Sequence, residues 1–214
     1  MPETIAATCR AVASDARLLI LRVLSQEGEL ASKEIGERVG LKPDRASRHL
    51  GRLMTAALLR PRRAGAYVYY HLSQGPAQQL GPAVARLVRR ACREPRWALR
   101  GWRERGVLHL ASETADRLPP DAARALDVVF DAATAFGNVR RVLLLRLLLR
   151  RGPCDEEAIR GELRMSAWAY ARQLDKLCRR GYVGRSSQGL WRLSQTRRTR
   201  FHSALLREVT RRLG

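Results

Sequence analysis

The side chains best suited to chemistry in this 214-residue chain lie in a short basic segment around Arg45 and Arg48. If that segment is helical, the two arginines stand about one turn apart on the same face. Arginine matches the paired acceptors O6 and N7 of guanine in the major groove of DNA. Ser47 and His49 lie beside them and could bond either bases or phosphates. The segment therefore predicts nucleic-acid binding, either with base specificity or as a solvated basic face that contacts phosphates.

Further residues of the first half are candidates for the same interface. They are Lys42, Asp44, Arg52, Arg62, Arg63, Tyr67 and Tyr69. Asp44 could accept a hydrogen bond from a cytosine amino group, or complement the positive end of a helix. Arg62 and Arg63 suit phosphates or a narrow A·T-rich minor groove, which concentrates negative potential. Because strand side chains alternate, both tyrosines are expected to be exposed, with Val68 and Tyr70 packed inward.

The elements that must position these side chains follow from the spacing of apolar residues. Leucines recur at helical spacing over Arg17–Leu24, which predicts a buried helix. Gly28 permits the left-handed turn that ends this helix. A second, shorter helix is predicted from Ser32, taken as its N-cap, to about Gly40.

A third helix and a hairpin are predicted next. Pro43 suits a first helical position, and the helix is predicted to run to about Thr55. The residues predicted to face inward are Ala46, Leu50 and Leu53. A turn near Ala64–Gly65 precedes an aromatic, β-branched strand, which predicts a β-hairpin. A helix-turn-helix followed by a hairpin is a winged helix.

The same pattern occurs twice in the chain. Ser14–Arg60 aligns without a gap on Asn138–Gly184, at a constant offset of 124 residues. The matched pairs are Arg17/Arg141, Leu21/Leu145, Leu24/Leu148, Gly28/Gly152, Ile35/Ile159, Arg48/Arg172, Leu50/Leu174 and Leu53/Leu177. Because internal repeats decide the architecture of a chain, we expect two winged helices.

The second copy departs from the first where DNA would be read. Trp168 replaces Asp44, and Tyr170 replaces Ala46. Trp168 either packs on a helix turned away from DNA, which we favour, or contacts thymine methyl groups. The candidate DNA contacts that remain are Ser166, Arg172, Gln173 and Arg185, the last in a wing shortened to Arg185–Leu193. The second copy is expected to bind DNA mostly through charge, or to serve chiefly as a dimerisation partner.

Several stretches of the first copy resemble bacterial repressors of the ArsR/SmtB type. They include Ser14-Asp-Ala-Arg-Leu, Ala46-Ser-Arg-His-Leu-Gly-Arg-Leu and the wing Tyr67-Val-Tyr-Tyr-His-Leu. The resemblance covers roughly Ala13–Ser73, under a third of the chain. It implies a DNA-binding regulator whose helices before and after the winged core build a homodimer interface. Two unequal copies in one chain depart from that pattern.

The flanking helices predict the overall architecture. Helices are expected before each copy at Thr4–Ala13 and Asp121–Phe136, and after each wing at Ala77–Ala91 and Arg198–Leu213. If the four pack within one chain, the fold is mainly α with small β-wings, built from tandem winged helix-turn-helix domains that form an intrachain pseudo-dimer. The predicted domains are residues 1–92 and 120–214.

A connector is predicted between the two domains, at residues 93–119. It carries Trp97 and Trp102, which we expect to pack on the helices rather than to line a ligand pocket. The run Leu118-Pro-Pro-Asp121 is expected to close the connector and to cap the next helix.

The charge of the chain favours double-stranded DNA as the partner. Lys and Arg number 41 against 20 Asp and Glu, a formal charge of +21. Such a surface attracts phosphate without reading sequence. A membrane surface is not expected, because no basic amphipathic helix stands outside the two copies. With no signal peptide recognisable and only a short apolar run at Val142–Leu149, the chain is expected to be cytoplasmic and nucleoid-associated.

The sequence predicts neither a cofactor nor a metal site. Many proteins of the ArsR/SmtB type bind metal through a Cys-x-Cys pair, but the corresponding positions here hold Ala31 and Lys33. The helix Ala77–Ala91 contains no His, Asp or Glu. Cys9 and Cys92, both on predicted interface helices, are either small buried residues or a sensor of oxidants or thiophilic metals.

The function predicted from these features is a DNA-binding transcriptional regulator, a repressor, that reads an asymmetric operator with its first recognition helix and wing. It is expected to act as a monomeric pseudo-dimer, although a homodimer is also compatible with the sequence. An enzyme is not expected, because no phosphate-binding glycine loop, HExxH or nucleophile–base pattern is found. The alternatives are a replication-initiator-type protein with tandem winged helices and a thiol- or metal-responsive regulator using Cys9 and Cys92.

Overall fold

The computed structural model describes residues 1–76, 78–101, 116–194 and 199–213. The described helices are α1 (Pro2–Val12), α2 (Asp15–Glu27), α3 (Ser32–Val39), α4 (Pro43–Thr55), α5 (Leu80–Arg93), α6 (Pro95–Leu99), α7 (Pro120–Phe136), α8 (Val139–Arg151), α9 (Glu156–Leu163), α10 (Ala167–Arg179) and α11 (Arg200–Thr210). The described strands are β1 (Leu30–Ala31), β2 (Leu59–Ala64), β3 (Tyr67–Leu72), β4 (Val183–Arg185) and β5 (Trp191–Leu193). Among these helices, none is both long and apolar enough to cross a bilayer.

The first three-helix unit is formed by α2, α3 and α4. Gly28, at φ 90°, ends α2, and Gly40 ends α3 in the left-handed conformation. The N-cap of α3 is Ala31 rather than the predicted Ser32. The Glu34 carboxylate accepts a hydrogen bond from the Ala31 N–H at 2.7 Å, so this acid supplies half of a capping box without a capping hydroxyl.

The helix α4 and its hairpin follow the prediction closely. Pro43 begins α4, and its apolar face is buried. The hairpin pairs Leu59 with Leu72 at its base and Ala64 with Tyr67 at its tip. Its turn is Gly65–Ala66, one residue later than predicted, with φ 58° at Gly65. The short strand β1 pairs with β3 and makes the sheet three-stranded.

The same order of elements recurs in the second half. Helices α8, α9 and α10 begin and end 124 residues after α2, α3 and α4. The hairpin of β4 and β5 starts at Val183, not at Arg185, and is shorter than the first. An isolated bridge joins Cys154 to Trp191 where β1 pairs with β3 in the first half.

The flanking helices hold the two halves together. Helix α1 packs against α7 and α8, while α11 packs against α5, α6 and α7, and α5 contacts α7. A continuous cluster of buried apolar residues extends through both halves. The bounds of α1, α5, α7 and α11 differ by up to three residues from the predictions. Prolines at the first positions of α1 and α7 account for their earlier starts, because proline is favoured in the first turn.

The described part of the connector contains the short helix α6. Trp97 lies half-buried, with its ring 6.4 Å from that of Phe201 in an edge contact. The Arg90 guanidinium lies 4.4 Å from the same indole. Trp97 therefore packs on the helices as predicted, whereas Trp102 lies outside the described residues. Asp121 does not cap α7, because Pro119 occupies the N-cap and Asp121 lies in the first turn.

Candidate nucleic-acid interface

The solvent face of α4 presents most of the predicted side chains. Ala46, Leu50 and Leu53 anchor the other face in the core. The exposed residues are Lys42, Asp44, Arg45, Ser47, Arg48 and Arg52. The helix therefore orients its polar residues outward because its apolar stripe is narrow and fully buried.

Four of these side chains line one hollow. Arg45, Arg48, His49 and Arg52 surround an open space of about 220 Å³. Three guanidinium groups offer several N–H donors and no acceptor. The hollow is therefore suited to an anion of phosphate size, and its donors can also turn to base edges.

His49 is the one member of this group that is half-buried. Its Nδ1 atom is buried and has no hydrogen-bond partner among the residues that the structure describes. Burial lowers the pKa of His49, and the charges of Arg17, Arg52, Arg48 and Arg45 lower it further. Burial and the four neighbouring cations thus both disfavour the protonated imidazole.

In the wing of the first half, Arg62 is exposed but also contacts two side chains of the protein. Its guanidinium forms an ion pair with Glu29 at 2.5 Å and lies 5.2 Å from the ring of Tyr69. The hydrogen bond from Arg62 lowers the pKa of the Glu29 carboxyl. Arg62 is therefore already paired with a carboxylate of the protein, whereas the neighbouring Arg63 is exposed and has no such ion pair among the described residues.

The tyrosines of the wing are not equally exposed. Tyr67 at the tip is 65% exposed, but Tyr69 is only half-buried and not open to solvent as predicted. The Arg62 guanidinium lies over the Tyr69 ring and covers part of it. Val68 and Tyr70 are half-buried, and Tyr70 packs against the core.

In the second half, Gln173 lies in the core, contrary to the prediction that it faces DNA. It is 7% exposed, and its Oε1 accepts a hydrogen bond from Arg141 Nη1 at 2.8 Å. Ser166 is the N-cap of α10 and accepts from the Ala169 N–H at 3.3 Å. Arg172, the third candidate on this helix, is exposed. Its guanidinium lies 5.1 Å from the ring centre of Trp168.

The favoured interpretation of Trp168 as a packing residue is wrong. The indole is 70% exposed, because Tyr170 and Gln173 occupy the buried face of α10; its position corresponds to that of the exposed Asp44. Tyr170 is buried instead, and burial raises its pKa to about 12. It fills the inward position that the smaller Ala46 holds in the first half.

The second wing also carries a basic residue on an aromatic ring. Arg185 is exposed, and its guanidinium lies 4.7 Å from the ring of Trp191. Such stacking restricts the guanidinium without using its N–H donors.

Two buried arginines were recognised in the sequence only as matched positions of the repeat. Arg17 donates to the carbonyl oxygens of Ala11 and Arg10 at the end of α1, and Arg141 donates to those of Ala135 and Thr134 at the end of α7. The signal available in the sequence was that the same arginine occurs at the same position of both copies.

The cysteines considered for sensing are embedded in the core. Cys9 and Cys92 are both buried, and desolvation raises their pKa values to about 12 and about 11. Thiols with such values are poor nucleophiles and poor metal ligands at neutral pH. Within the described ranges, no group of three or more His, Cys, Asp or Glu side chains is placed to hold a metal ion.

The comparisons with known proteins agree with this geometry. Residues 14–56 match the family model described as winged helix-turn-helix DNA-binding. The chain is also 36% identical over 63 residues to the arsenic resistance transcriptional regulator ArsR1 of Pseudomonas putida. That alignment covers 29% of this chain and 49% of the relative, so the chain spans about half the length of the curated relative that it matches. No solved structure matches the chain significantly. Residues 14–56, which comprise α2, α3 and α4, are thus similar to winged helix-turn-helix DNA-binding domains, and the β2–β3 hairpin follows them where a wing is expected.

Proposed function

We propose that this protein is a transcriptional regulator, acting as a repressor, that binds an asymmetric DNA site through two winged helices in one chain. The observation that carries the proposal is the hollow on α4, where Arg45, Arg48 and Arg52 face solvent beside the half-buried His49, within the segment that matches DNA-binding domains. N-terminal residues of a recognition helix are those that reach base edges in the major groove. Arg45 and Arg48 are the base readers, and Lys42, Arg52 and Arg63 contact phosphates.

The hydrogen bonds of the two buried arginines support the second winged helix. Arg17 Nη2 donates to the Arg10 carbonyl at 2.8 Å, and Arg141 Nη2 donates to the Thr134 carbonyl at 2.7 Å. Arg141 and Thr134 stand 124 positions after Arg17 and Arg10, so the two bonds join equivalent positions. Equal helix bounds and equal bonding at the same positions are expected of two copies of one unit.

The packing of the flanking helices supports an intrachain pseudo-dimer. Helix α1, which precedes the first unit, packs against α7, which precedes the second. Helix α5, which follows the first wing, packs against α11, which follows the second. Contacts between equivalent helices are those of a two-fold interface, here formed within one chain.

The function of the similar protein supports the regulatory part of the proposal. It is a transcriptional regulator of arsenic resistance, and the alignment with it supports gene regulation here. Arsenic sensing is not part of the proposal, because Cys9 and Cys92 are buried thiols and the Cys-x-Cys positions hold Ala31 and Lys33.

Selection of binding sites from a random duplex library tests the proposal. The intact protein should recover an asymmetric site, because Ala169 occupies the position that corresponds to Arg45 and leaves the second unit without that base reader. Arg45→Ala or Arg48→Ala should relax specificity in one half-site, at a cost of about 1–3 kcal/mol per lost bidentate contact. Arg207→Ala, which removes the same charge from the exposed face of α11, is the control and should leave the selected sequence unchanged.

Two outcomes would contradict the proposal. If selection recovers no preferred sequence, the protein binds DNA only through its positive charge and does not read bases. A symmetric palindrome equally sensitive to changes in both units would refute the asymmetric reading.

A further inference from the structure

The start of α10 presents an aromatic ring to solvent where a recognition helix would meet DNA. Trp168 is 70% exposed, one of few large apolar side chains so exposed in the described part of the chain. Resting on the proposed function, we propose that α10 reads a 5-methylpyrimidine beside a guanine. Trp168 contacts the C5-methyl group, and Arg172 binds guanine O6 and N7.

The placement of Trp168 is set by the residues behind it. Tyr170 and Gln173 are buried on the opposite face of α10, and Gln173 is hydrogen-bonded to Arg141. Ser166 caps the helix through the Ala169 N–H. Rotating α10 to bury Trp168 would expose Tyr170 and break the Gln173–Arg141 bond, so the indole stays outside.

The chemistry of the pair restricts what it can read. Indole carries one N–H donor and no acceptor, and it cannot form the bidentate contacts that identify adenine or guanine. Its large apolar surface matches the methyl group that thymine alone carries among the four bases of the major groove. Arg172 lies over the ring at 5.1 Å, with its N–H groups still able to donate to guanine. The stacked pair therefore suits two neighbouring base pairs.

The net charge of the second unit favours DNA over a protein as the occupant of the surface at Trp168. Residues 138–194 contain 13 Lys and Arg against 5 Asp and Glu, a larger excess than the 11 against 6 of residues 14–73. A protein-docking tryptophan is usually surrounded by a patch depleted in charge. An aromatic ring within a cationic surface is expected to face a polyanion.

Base analogues test the proposal on the duplex recovered by site selection. In the half-site that is insensitive to Arg45→Ala and Arg48→Ala, each thymine is replaced in turn by deoxyuridine, which removes only the methyl group. Each guanine is replaced in turn by 7-deazaguanine, which removes N7. Anisotropy titrations at fixed salt should show roughly fourfold weaker binding for at least one deoxyuridine duplex, the effect expected for one methyl group. The 7-deaza effect should fall on a neighbouring base pair.

Protein variants assign the effect to the side chains. Trp168→Ala should abolish the preference for thymine over deoxyuridine, Trp168→Phe should retain it, and Arg172→Ala should abolish the 7-deazaguanine effect. Because Trp168 is exposed, the thermal midpoint of the Trp168→Ala protein should remain within about 2 °C of the wild type. Tyr170→Ala is the contrasting buried change and should lower it clearly.

The outcomes separate this proposal from the one on which it rests. A selected half-site without thymine, equal binding of every deoxyuridine duplex, or a thymine preference that persists in Trp168→Ala would each overturn the methyl contact alone. Trp168→Ala binding every duplex as the wild type does would instead point to a protein partner for the indole. If selection recovers no sequence, both proposals fail.

Discussion

His49 and Gln173 occupy equivalent positions in the two units, yet their polar atoms meet different environments. Gln173 Oε1 accepts a hydrogen bond from buried Arg141. The Nδ1 atom of His49, whose pKa is lowered by burial and by Arg17, is buried without a partner in the described part of the chain. An amide oxygen remains an acceptor at every pH, whereas an imidazole becomes a cation as the pH falls. The same position thus holds a hydrogen-bonded polar atom in the second unit and a buried polar atom without a hydrogen bond in the first.

We expect His49→Gln to stabilise the protein by about 1 kcal/mol, because the new amide oxygen can accept from Arg17 as Gln173 does from Arg141. The pKa of His49 is lowered from 6.5 in the folded state, so the unfolded chain binds more protons below that pH. The free energy of unfolding is therefore highest above pH 6.5, where His49 is neutral in both states. It decreases as the pH falls from 6.5 through the lower pKa of the folded state. Urea unfolding at pH 7.5 and pH 5.5 should therefore show a smaller acid loss in the variant.

Gln173→His is the matched control and should introduce acid sensitivity in the second unit. Equal acid losses in wild type and His49→Gln would contradict the role of His49.

At the scale of elements, a buried arginine stabilises each of two helix junctions, the one between α1 and α2 and the one between α7 and α8. The last carbonyl groups of an α-helix have no partner within the helix. Arg17 supplies donors to the end of α1 and Arg141 to the end of α7, and a positive charge also complements a helix C-terminus. Burial lowers the pKa of the Arg141 guanidinium to about 10, yet it stays charged at neutral pH.

Removing either arginine should destabilise the fold. Arg17→Ala and Arg141→Ala are each expected to cost about 2–4 kcal/mol, because two carbonyls lose charged donors. Lysine should not rescue either site, since its ammonium cannot reproduce the planar guanidinium fork. Urea unfolding measures the loss. Arg140→Ala, an exposed neighbour of Arg141, is the control and should change stability by less than about 0.5 kcal/mol. Recovery of full stability by Arg141→Lys would show that charge alone matters.

At the scale of the whole molecule, the contacts of α1 with α7 and of α5 with α11 use the surfaces that would otherwise join two chains. The chain should therefore be monomeric at micromolar concentration, with a mass near 24.2 kDa in light scattering, and should still cover an entire DNA site. The measurement is made with and without the selected duplex. A stable dimer of exchanged helices would refute the intrachain arrangement while leaving DNA binding intact.

DNA binding by the whole molecule should also be independent of metals. Cys9 and Cys92 are buried, and desolvation raises their pKa values, so thiolates form rarely at neutral pH. Zinc, cadmium or arsenite added to the reduced protein should leave affinity for the selected duplex within about threefold, or ~0.7 kcal/mol. Release of DNA by stoichiometric metal, lost in a Cys9→Ser, Cys92→Ser double variant, would make these cysteines a sensor.

The sequence by itself determined the elements and their repetition. The bounds of α4, the glycine ends of α2 and α3, and the hairpin of the first wing depend on apolar period, turn residues and caps, which act between neighbours along the chain. The alignment at an offset of 124 residues predicted the same order of helices in the second half. A local pattern is sufficient where local interactions choose the conformation.

Only the tertiary structure decided which polar side chains remain free to bind. Arg62 pairs with Glu29 across 33 residues of sequence, and Gln173 pairs with Arg141 across 32. Trp168 is exposed because Tyr170 and Gln173 take the inner face of α10. These outcomes depend on distances between elements that are remote in sequence. Residue type and spacing do not contain such distances, because a charged or amide side chain is equally compatible with solvent, DNA or a buried partner until packing sets its neighbours.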